Sequence, residues 1–342
     1  MNTAWINFLH AQSPAVAEFN PENTGWLALS NRASIRVSGS DAADFLQAML
    51  TQEILALTPS HAARSALCNA KGRMLTTLLI HPKHTEQGSE YHLTVPQDLR
   101  VDLLKTLKLY VLRRRVMLEL VEDWGFIGIL NPHHTLLLAV GIDAEPAETL
   151  AQPQLNNGLI ATWEHHAATP RLSLQGPLSA LMAVGQQIAS PRNVWVAPAV
   201  WDCAEIQDGI PEIHPGTCLH FVPQWVNLDF LNAVSFNKGC YPGQEIIARL
   251  HYLGKSNRRM IMGRITHSAP LQPGTLIHVQ NTPDTEAGEI VRSAPCESGN
   301  ESDQLFLAVI RLNHAHDALT VAQHPCVLYP SPFVEADPVQ TH

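Results

Sequence analysis

Two segments of the chain share one order of hydrophobic and polar positions, which is a strand, a turn and then a helix. In residues 34–50, apolar residues alternate as in a strand as far as Gly39, and after the helix cap Ser40 they recur with helical spacing. Residues 170–184 have the same order, with Gly176 at the turn. The two segments predict a pair of related βα units in the region before the C-terminal third of the chain.

Further strands and a helix are predicted between these two units. Apolar runs predict strands at 91–96, 116–123 and 124–130, and helical spacing predicts an amphipathic helix over 97–112. Strands and helices mix here without strict βαβα alternation. This mixture favours an α+β fold over a doubly wound parallel sheet.

Polar stretches that contain Gly or Pro predict two surface loops, at 84–90 and 141–158. The second of these loops separates the two βα units. We therefore expect a region 1–250 of two subdomains, with the division near 145–165.

The pattern changes from about residue 258, where short β-type runs are separated by Pro, Gly, Asn and Asp. Strands of this length and spacing are typical of a small all-β barrel or sandwich. We predict a C-terminal β-barrel at 251–334, followed by a flexible tail at 335–342.

Composition and charge limit the functional class. Of 342 residues, 45% are hydrophobic, which suffices for globular cores, and only 15% are charged, which argues against extensive disorder. Lys and Arg number 22 against 31 Asp and Glu, and this formal charge of −9 argues against a protein that coats nucleic acid non-specifically. No secretory signal opens the chain, and no apolar run approaches the ~18 residues of a membrane span. We expect a cytoplasmic protein.

Several sequence features predict no site. The six cysteines include no C-x-x-C pair and do not resemble a disulfide framework. The 18 histidines form no H-E-x-x-H motif and lack partners at ligand spacing, so no metal site is predicted. The segment "LGKS" at 253–256 is similar to the end of a phosphate-binding loop, but Arg249 stands where that motif needs glycine.

Cys240 is the candidate reactive residue. Pro242 suits the first turn of a helix, which would place the thiol just ahead of a positive helix end. Lys238 and Arg249 add positive charge, and Gly239 would let a ligand approach the backbone closely. Such surroundings favour the thiolate, which is the reactive form of cysteine. The alternative is a helix start that contains a small buried thiol.

A second basic cluster runs from Lys105 to Arg115, without an acidic residue between Asp102 and Glu119. It could face phosphates or a polyanionic ligand, and a solvated helix end is the alternative interpretation.

The residues around Cys240 carry a resemblance to a known family. The stretch "FVPQWVNLDFLNAVSFNKGCYPGQEIIAR", residues 221–249, resembles the signature of the YgfZ branch of the YgfZ/GcvT family. The core of that signature, K-G-C-Y-x-G-Q-E, is present as Lys238, Gly239, Cys240, Tyr241, Gly243, Gln244 and Glu245. Shorter matches include "CNAKGRM" at 68–74, "LKLYVLRRRV" at 107–116 and "WDCAEIQDGIP" at 201–211. The resemblance covers most of residues 30–260.

This resemblance implies a fold and a function. The implied fold has two related α+β subdomains around a folate-binding channel, followed by a small β-barrel. YgfZ proteins support the synthesis or repair of iron–sulfur clusters, above all in enzymes that methylthiolate tRNA, and they depend on tetrahydrofolate. The resemblance makes Cys240 the residue on which function depends, by transient ligation of a cluster, by redox chemistry or by attack on a folate-carried one-carbon unit. One cysteine cannot hold a whole cluster, so any contact with iron would be shared or transient.

The resemblance also implies partners and folate-binding residues. We expect a monomer that binds folate and meets iron–sulfur enzymes transiently, without a membrane or a stable nucleic-acid partner. Trp201 matches the family's stacking tryptophan, with a core residue as the alternative interpretation, and Arg32 falls at the position of a second one. Gln207 stands where the family has a glutamate that pairs with the pterin, and its amide oxygen can accept one such bond.

One departure bears on enzymatic activity. Aminomethyltransferase relatives carry an acidic pair where this chain has Thr76 and Thr77. A threonine hydroxyl cannot replace a carboxylate as a general base, so glycine-cleavage chemistry is not expected. A folate-dependent one-carbon transferase and an RNA-binding module that uses the two basic segments remain the alternative functions.

Overall fold

A computed structural model describes residues 3–12, 16–20, 22–85, 88–164, 169–190, 192–254, 256–295 and 303–331. The predicted tail at 335–342 lies outside the described residues. The chain forms two compact units. The first unit comprises Met1–Phe45, Ile54–Ala63 and Leu79–Ala204, and the second comprises Leu46–Glu53, Arg64–Leu78 and Glu205–His342.

The helices and strands of the described chain alternate irregularly, as expected for an α+β fold. The helices are α1 Thr3–Gln12, α2 Ala42–Met49, α3 Arg100–Leu109, α4 His134–Ala139, α5 Leu178–Ile188, α6 Pro198–Gln207 and α7 Gln244–Tyr252. The strands that precede α7 are β1 Thr24–Ala28, β2 Arg32–Ser38, β3 Ala63–Cys68, β4 Met74–Thr85, β5 Gly88–Pro96, β6 Met117–Leu120, β7 Trp124–Leu130, β8 Ile160–Glu164, β9 Arg171–Pro177 and β10 Asn193–Trp195. Those that follow α7 are β11 Arg258–Thr266, β12 Leu276–Val279, β13 Thr282–Pro295, β14 Asp303–Arg311, β15 Leu319–Val321 and β16 His324–Leu328.

One sheet lies wholly in the first unit and has the strand order β10-β1-β7-β9-β8. Only the β1–β10 pair is parallel among its described strand pairs. Helices α4 and α5 contribute to its core, where Trp163, Leu172 and Leu181 are completely buried. Strand β8 and the first six residues of β9 are buried, so the polar residues that alternate with Leu172 and Leu174 in β9 are buried as well.

A second sheet has the order β3-β4-β5-β2-β6, and its described pairs β4–β5, β2–β5 and β2–β6 are antiparallel. Ile35 and Val37 of β2 are fully buried, as their alternation predicts. The strand–helix order predicted at 34–50 is present as β2 and α2, and the order predicted at 170–184 is present as β9 and α5. The described residues of the predicted loop at 84–90 are strand instead, because β4 continues to Thr85 and pairs there with the start of β5.

The last six strands close into a barrel in the second unit, in the order β11-β14-β13-β12-β15-β16. Its interior is aliphatic and aromatic, with Ile277, Ile290 and Phe306 completely buried. The expected α+β fold with a small C-terminal β-barrel is confirmed; the domain boundaries stay predictions. Among the described residues, no helix combines the length and the apolar character needed to span a membrane.

Candidate functional site

Cys240 lies in an exposed loop ahead of helix α7. The helix begins at Gln244 with Gly243 as its cap, so Pro242 precedes the helix and the prediction that it occupies the first turn is wrong. The reason is that Gly243 adopts a left-handed backbone, with φ of 83°, which turns the chain before the first helical residue. The thiol therefore lies three residues before the helix cap, where it is open to solvent.

The loop after Cys240 is packed against the turn of the "CNAKGRM" segment in the same unit. A Cβ atom on Gly243 would lie 2.5 Å from the Cα of Gly72 and 2.6 Å from the carbonyl oxygen of Asn69. The Asn69 side chain shapes that turn by accepting the backbone N–H groups of Lys71 and Arg73 at 2.9 and 3.0 Å. Two stretches that are far apart in sequence thus pack together beside the cysteine loop.

Lys238 fixes the other side of the loop. Its Nζ donates to the carbonyl oxygens of Leu50 and Gln52 at 2.7 and 2.6 Å, just beyond the end of α2. The residue is only 8% exposed, and burial lowers the pKa of its ammonium group to about 8. Gln244 reinforces this anchor by donating from Nε2 to the Lys238 carbonyl at 3.2 Å.

Tyr241 forms the buried side of the cysteine loop. Its ring lies 5.3 Å from the Lys238 ammonium, a cation–π distance. Burial, followed by the nearby Cys68 thiol, raises the pKa of the phenol above its ordinary value. Burial also raises the pKa of the Cys68 thiol to about 12, so Cys68 is an inert thiol in contrast to exposed Cys240.

The rest of the predicted motif is exposed. Gly239 has open space on its Cα, since an added Cβ would meet nothing within 4 Å. Glu245 and Arg249 point away from the core of α7, and Ile247 is its one buried residue. The positive surroundings predicted for the thiol are partly neutralised by other contacts. The Lys238 ammonium, one of the two cations predicted there, donates to the Leu50 and Gln52 carbonyls.

Two contacts of this region were missed by the sequence interpretation. Phe236 stacks on His251 with ring centres 3.7 Å apart, which ties the start of the loop to the end of α7. The acceptors of Lys238 are backbone carbonyls, for which no residue type gives a sequence signal. Phe236 and His251 both have flat rings that can stack, but nothing in the sequence specifies that these two residues are in contact.

The first unit brings Trp201 and Arg32 together, and their assignment to a folate site stays a prediction. Trp201 is 1% exposed, and the Cζ atoms of Arg32 and Arg171 each lie 5.4 Å from its ring centre. Arg32 also lies 3.8 Å from a carboxylate oxygen of buried Glu164. The indole Nε1–H of Trp201 is buried and has no hydrogen-bond partner among the described residues. Gln207 is exposed at the end of α6, in the second unit.

Thr76 and Thr77 are buried in the second unit, and both hydroxyls are used by the backbone. Thr76 Oγ1 donates to the Thr77 carbonyl at 2.9 Å. Thr77 Oγ1 accepts the backbone N–H of Ile213 at 3.3 Å and donates to the Pro211 carbonyl at 3.4 Å. Both hydroxyls are therefore engaged in hydrogen bonds with backbone groups. In the part of the chain that the structure describes, no three His, Cys, Asp or Glu residues are grouped to hold a metal ion.

Sequence comparison finds relatives of this chain among known proteins. The tRNA-modifying protein YgfZ of Colwellia psychrerythraea is 28% identical over 298 residues, which cover 87% of this chain and 89% of that protein. The tRNA-modifying protein YgfZ of Yersinia pestis is 27% identical over 236 residues, 68% of this chain and 69% of that protein. An uncharacterized protein of Haemophilus influenzae is 28% identical over 259 residues, 75% of this chain and 79% of its own. No family model matches the chain.

The fold has a close counterpart among solved structures. The glycine cleavage system aminomethyltransferase T of Bartonella henselae superimposes with a TM-score of 0.72, covering 96% of this chain and 90% of its own, at 14% sequence identity. Identity at this level shows the fold alone. The resemblance to the YgfZ/GcvT family predicted from the sequence is thus confirmed: the chain is similar to YgfZ proteins over most of its length and has the aminomethyltransferase fold.

Proposed function

We propose that this protein is a folate-dependent accessory factor for the synthesis or repair of iron–sulfur clusters. It would support tRNA methylthiolation through the cluster enzymes that perform that reaction. The similarity to proteins named tRNA-modifying protein YgfZ and the shared aminomethyltransferase fold support this role. The observation that carries the proposal is the exposed thiol of Cys240 on a loop that is anchored on both sides.

Cys240 is the working residue in this proposal. Its thiolate is the form that binds metal, so ligation to iron releases the thiol proton to solvent. A cluster needs several ligands, and one cysteine supplies only one of them. The cluster or its iron is therefore the cargo of a transient complex, and the client enzyme provides the other ligands.

Lys238 acts on the thiol by positioning it. Its ammonium is occupied by the Leu50 and Gln52 carbonyls, so it holds the backbone two residues before Cys240. Gly243 fixes the backbone three residues after Cys240 through its close approach to Gly72. Anchors on both sides limit the positions that the exposed thiol samples, which lowers the entropy lost when a partner engages it.

The first unit offers groups that fit a folate. The buried Nε1–H of Trp201 is a donor for a ligand acceptor, and the Arg32 guanidinium beside the ring can stack on a flat heterocycle. Gln207, in the second unit, stays a folate-binding residue proposed from its place in the family motif alone. Tetrahydrofolate, when bound, supplies a carrier for a one-carbon unit.

A folate-dependent aminomethyl transferase is the alternative suggested by the fold. It is disfavoured by Thr76 and Thr77, whose hydroxyls are engaged by the backbone and cannot take a proton near neutral pH. Turnover of an amine donor with tetrahydrofolate by the purified protein would establish this alternative.

Complementation tests the proposed function. A bacterial strain that lacks its YgfZ protein would receive the wild type, Cys240→Ser or Cys218→Ser, and the methylthiolated fraction of its tRNA would be measured by mass spectrometry. We expect rescue by the wild type and by Cys218→Ser, since Cys218 is a half-buried cysteine outside the loop. We expect no rescue by Cys240→Ser at equal protein level. Full rescue by Cys240→Ser would remove the thiol from the proposal.

Calorimetric titration with tetrahydrofolate tests the cofactor separately. Trp201→Leu removes the stacking face and the unpartnered donor, so we expect affinity to fall at least tenfold. Trp195→Phe, which changes a tryptophan of β10 that packs edge-on against Trp26, is the matched control and should bind normally. Unchanged affinity in Trp201→Leu would contradict the assignment.

A further inference from the structure

The segment from Lys105 to Arg115 forms an exposed surface in the first unit that the proposed function does not use. We call it the α3 patch and define it by the exposed residues Lys105, Lys108, Leu109, Tyr110, Leu112, Arg113, Arg114 and Arg115. Between its first and last residue there are five Lys or Arg and no acidic residue, in a chain whose formal charge is −9. The patch is therefore a local concentration of positive charge on an acidic protein.

Most of this charge remains available to a ligand. Lys105 lies 3.5 Å from Asp102, but the two side chains are 72% and 80% exposed, so solvent screens the pair. Arg115 lies 3.6 Å from Asp41 and is itself 81% exposed. Lys108 is exposed in the last turn of α3, where its charge complements the helix dipole.

Large apolar side chains stand among these cations. Leu109 is 74% exposed, Tyr110 50% and Leu112 86%. Leu112 also has a left-handed backbone, with φ of 50°, a conformation that non-glycine residues adopt at an energetic cost. The buried face of the helix is supplied by Leu103 and Leu107 instead. The apolar residues of the patch thus contribute contact area to the surface rather than to the core.

The combination of charges and apolar groups selects one class of ligand. Clustered cations are suited to a phosphate backbone, whereas duplex RNA presents mainly phosphates and 2′-hydroxyls and would leave the leucines and Tyr110 without a contact. Unpaired bases have flat faces that pack on aromatic and apolar side chains and on guanidinium planes. We propose that the α3 patch binds RNA with unpaired bases, with its cations on the phosphates and Tyr110, Leu109 and Leu112 against the bases.

This contact goes beyond the proposed function, which needs no direct contact with RNA. It also agrees with the expectation that nucleic acid is not a stable partner. Five cations make an interaction that weakens steeply with salt, so binding at physiological ionic strength is transient. The protein would meet an RNA substrate together with its client enzyme and leave it again.

Fluorescence anisotropy with a labelled, unmodified tRNA transcript tests the inference, with the full-length protein at a series of salt concentrations. Five phosphate contacts predict a slope of log K against log salt of about −3.5 to −4.5. The double variant Lys108→Glu/Arg113→Glu should reduce the steepness by about 1.5 and weaken binding at low salt at least tenfold. Tyr110→Ala should weaken binding about fivefold or more.

Matched controls separate the patch from general charge and hydrophobicity. Arg192→Glu changes an exposed cation elsewhere in the first unit, and Val327→Ser changes an apolar residue that is 65% exposed on β16. Both should bind tRNA as the wild type does. Circular dichroism melting of every variant confirms that each one is folded. A single-stranded oligonucleotide should compete with tRNA, and an RNA duplex of equal charge should compete at least fivefold less well.

Four results would overturn the inference. The first is no tRNA binding at low salt, and the second is binding by the double variant as tight as that of the wild type. The third is that the duplex competes as well as the single-stranded oligonucleotide. The fourth is that the protein binds vesicles that contain phosphatidylserine and does not bind tRNA, which would assign the patch to a membrane surface. Cys240→Ala should bind tRNA normally. Full rescue by Cys240→Ser in complementation, with patch-dependent tRNA binding intact, would remove the proposed function and leave this inference standing.

Discussion

Gly243 provides a direct test of the anchoring of the cysteine loop. Gly243→Ala adds one methyl group at a position with φ of 83°. The added Cβ would lie 2.5 Å from the Gly72 Cα and 2.6 Å from the Asn69 carbonyl oxygen, both of them backbone atoms that cannot move aside as a flexible side chain does.

The loss of stability expected for Gly243→Ala follows from two effects. A left-handed backbone costs an alanine about 1–2 kcal/mol, and forcing a methyl group into a packed contact costs about 1–3 kcal/mol. We therefore expect Gly243→Ala to lower the free energy of unfolding by about 2–5 kcal/mol. Gly239→Ala is the matched control four residues away, since its Cβ meets nothing within 4 Å. It should change stability by no more than about 0.5 kcal/mol.

Urea unfolding measures both variants, with hydrogen exchange of the α7 amides as a local readout. The expected result is a lower midpoint and faster α7 exchange in Gly243→Ala and neither change in Gly239→Ala. If Gly243→Ala unfolds at the midpoint of the wild type, the close approach to Gly72 does not exist as described and the anchoring argument fails.

Three further predictions concern buried polar groups. Lys238→Met leaves the Leu50 and Gln52 carbonyls without their donor. It should lower the free energy of unfolding, measured with urea, by about 2–3 kcal/mol. The pKa of Lys238 is lowered from 10.5 in the unfolded chain to about 8 in the folded protein, so the free energy of unfolding should rise between pH 8 and 10.5. Lys238→Met should lose that rise. If the variant and the wild type have the same dependence of stability on pH, the lowered pKa is refuted. Burial lowers the pKa of His81 from 6.5 to about 3, so stability should fall as pH drops from 6.5 towards 3, and His81→Gln should flatten this loss in acid unfolding monitored by circular dichroism. Arg292 and Glu205 form a buried ion pair at 2.9 Å, and each side chain is 4% exposed. Arg292→Leu alone leaves the carboxylate buried without its partner and should lower the free energy of unfolding by about 3–5 kcal/mol, whereas Arg292→Leu/Glu205→Leu should lower it clearly less. Equal losses in the two variants would contradict a buried ion pair.

The elements with a strong local signal were predictable from the sequence. Ile35 and Val37 alternate in β2, and the turn at Gly39 separates this strand from α2, as the structure has them. The barrel strands follow from their short β-type runs, although the closure of β11 with β16 depends on pairing between distant residues. The polar composition of 84–90 predicts a loop, but residues 84–85 and 88–90 pair as strands, where pairing with the neighbouring strand outweighs local composition.

The candidate site was predictable only in its residue types. The motif around Cys240 identifies the loop, but the helix start at Gln244 depends on the left-handed Gly243, which the Pro242 signal misplaced. The partners of Lys238 are backbone carbonyls of a segment nearly two hundred residues earlier in the chain. Such contacts depend on tertiary packing and leave no pattern in the sequence.

Reconstituted methylthiolation tests the central claim most directly. A purified, cluster-containing tRNA methylthiotransferase would be assayed for the number of turnovers that it completes on an unmodified tRNA. The assay would run with tetrahydrofolate and either the wild-type protein, Cys240→Ser or Cys218→Ser. We predict that the wild type and Cys218→Ser increase the number of turnovers by keeping the cluster intact and that Cys240→Ser does not. An equal increase with Cys240→Ser would contradict the account, because the exposed thiol would then have no part in the activity.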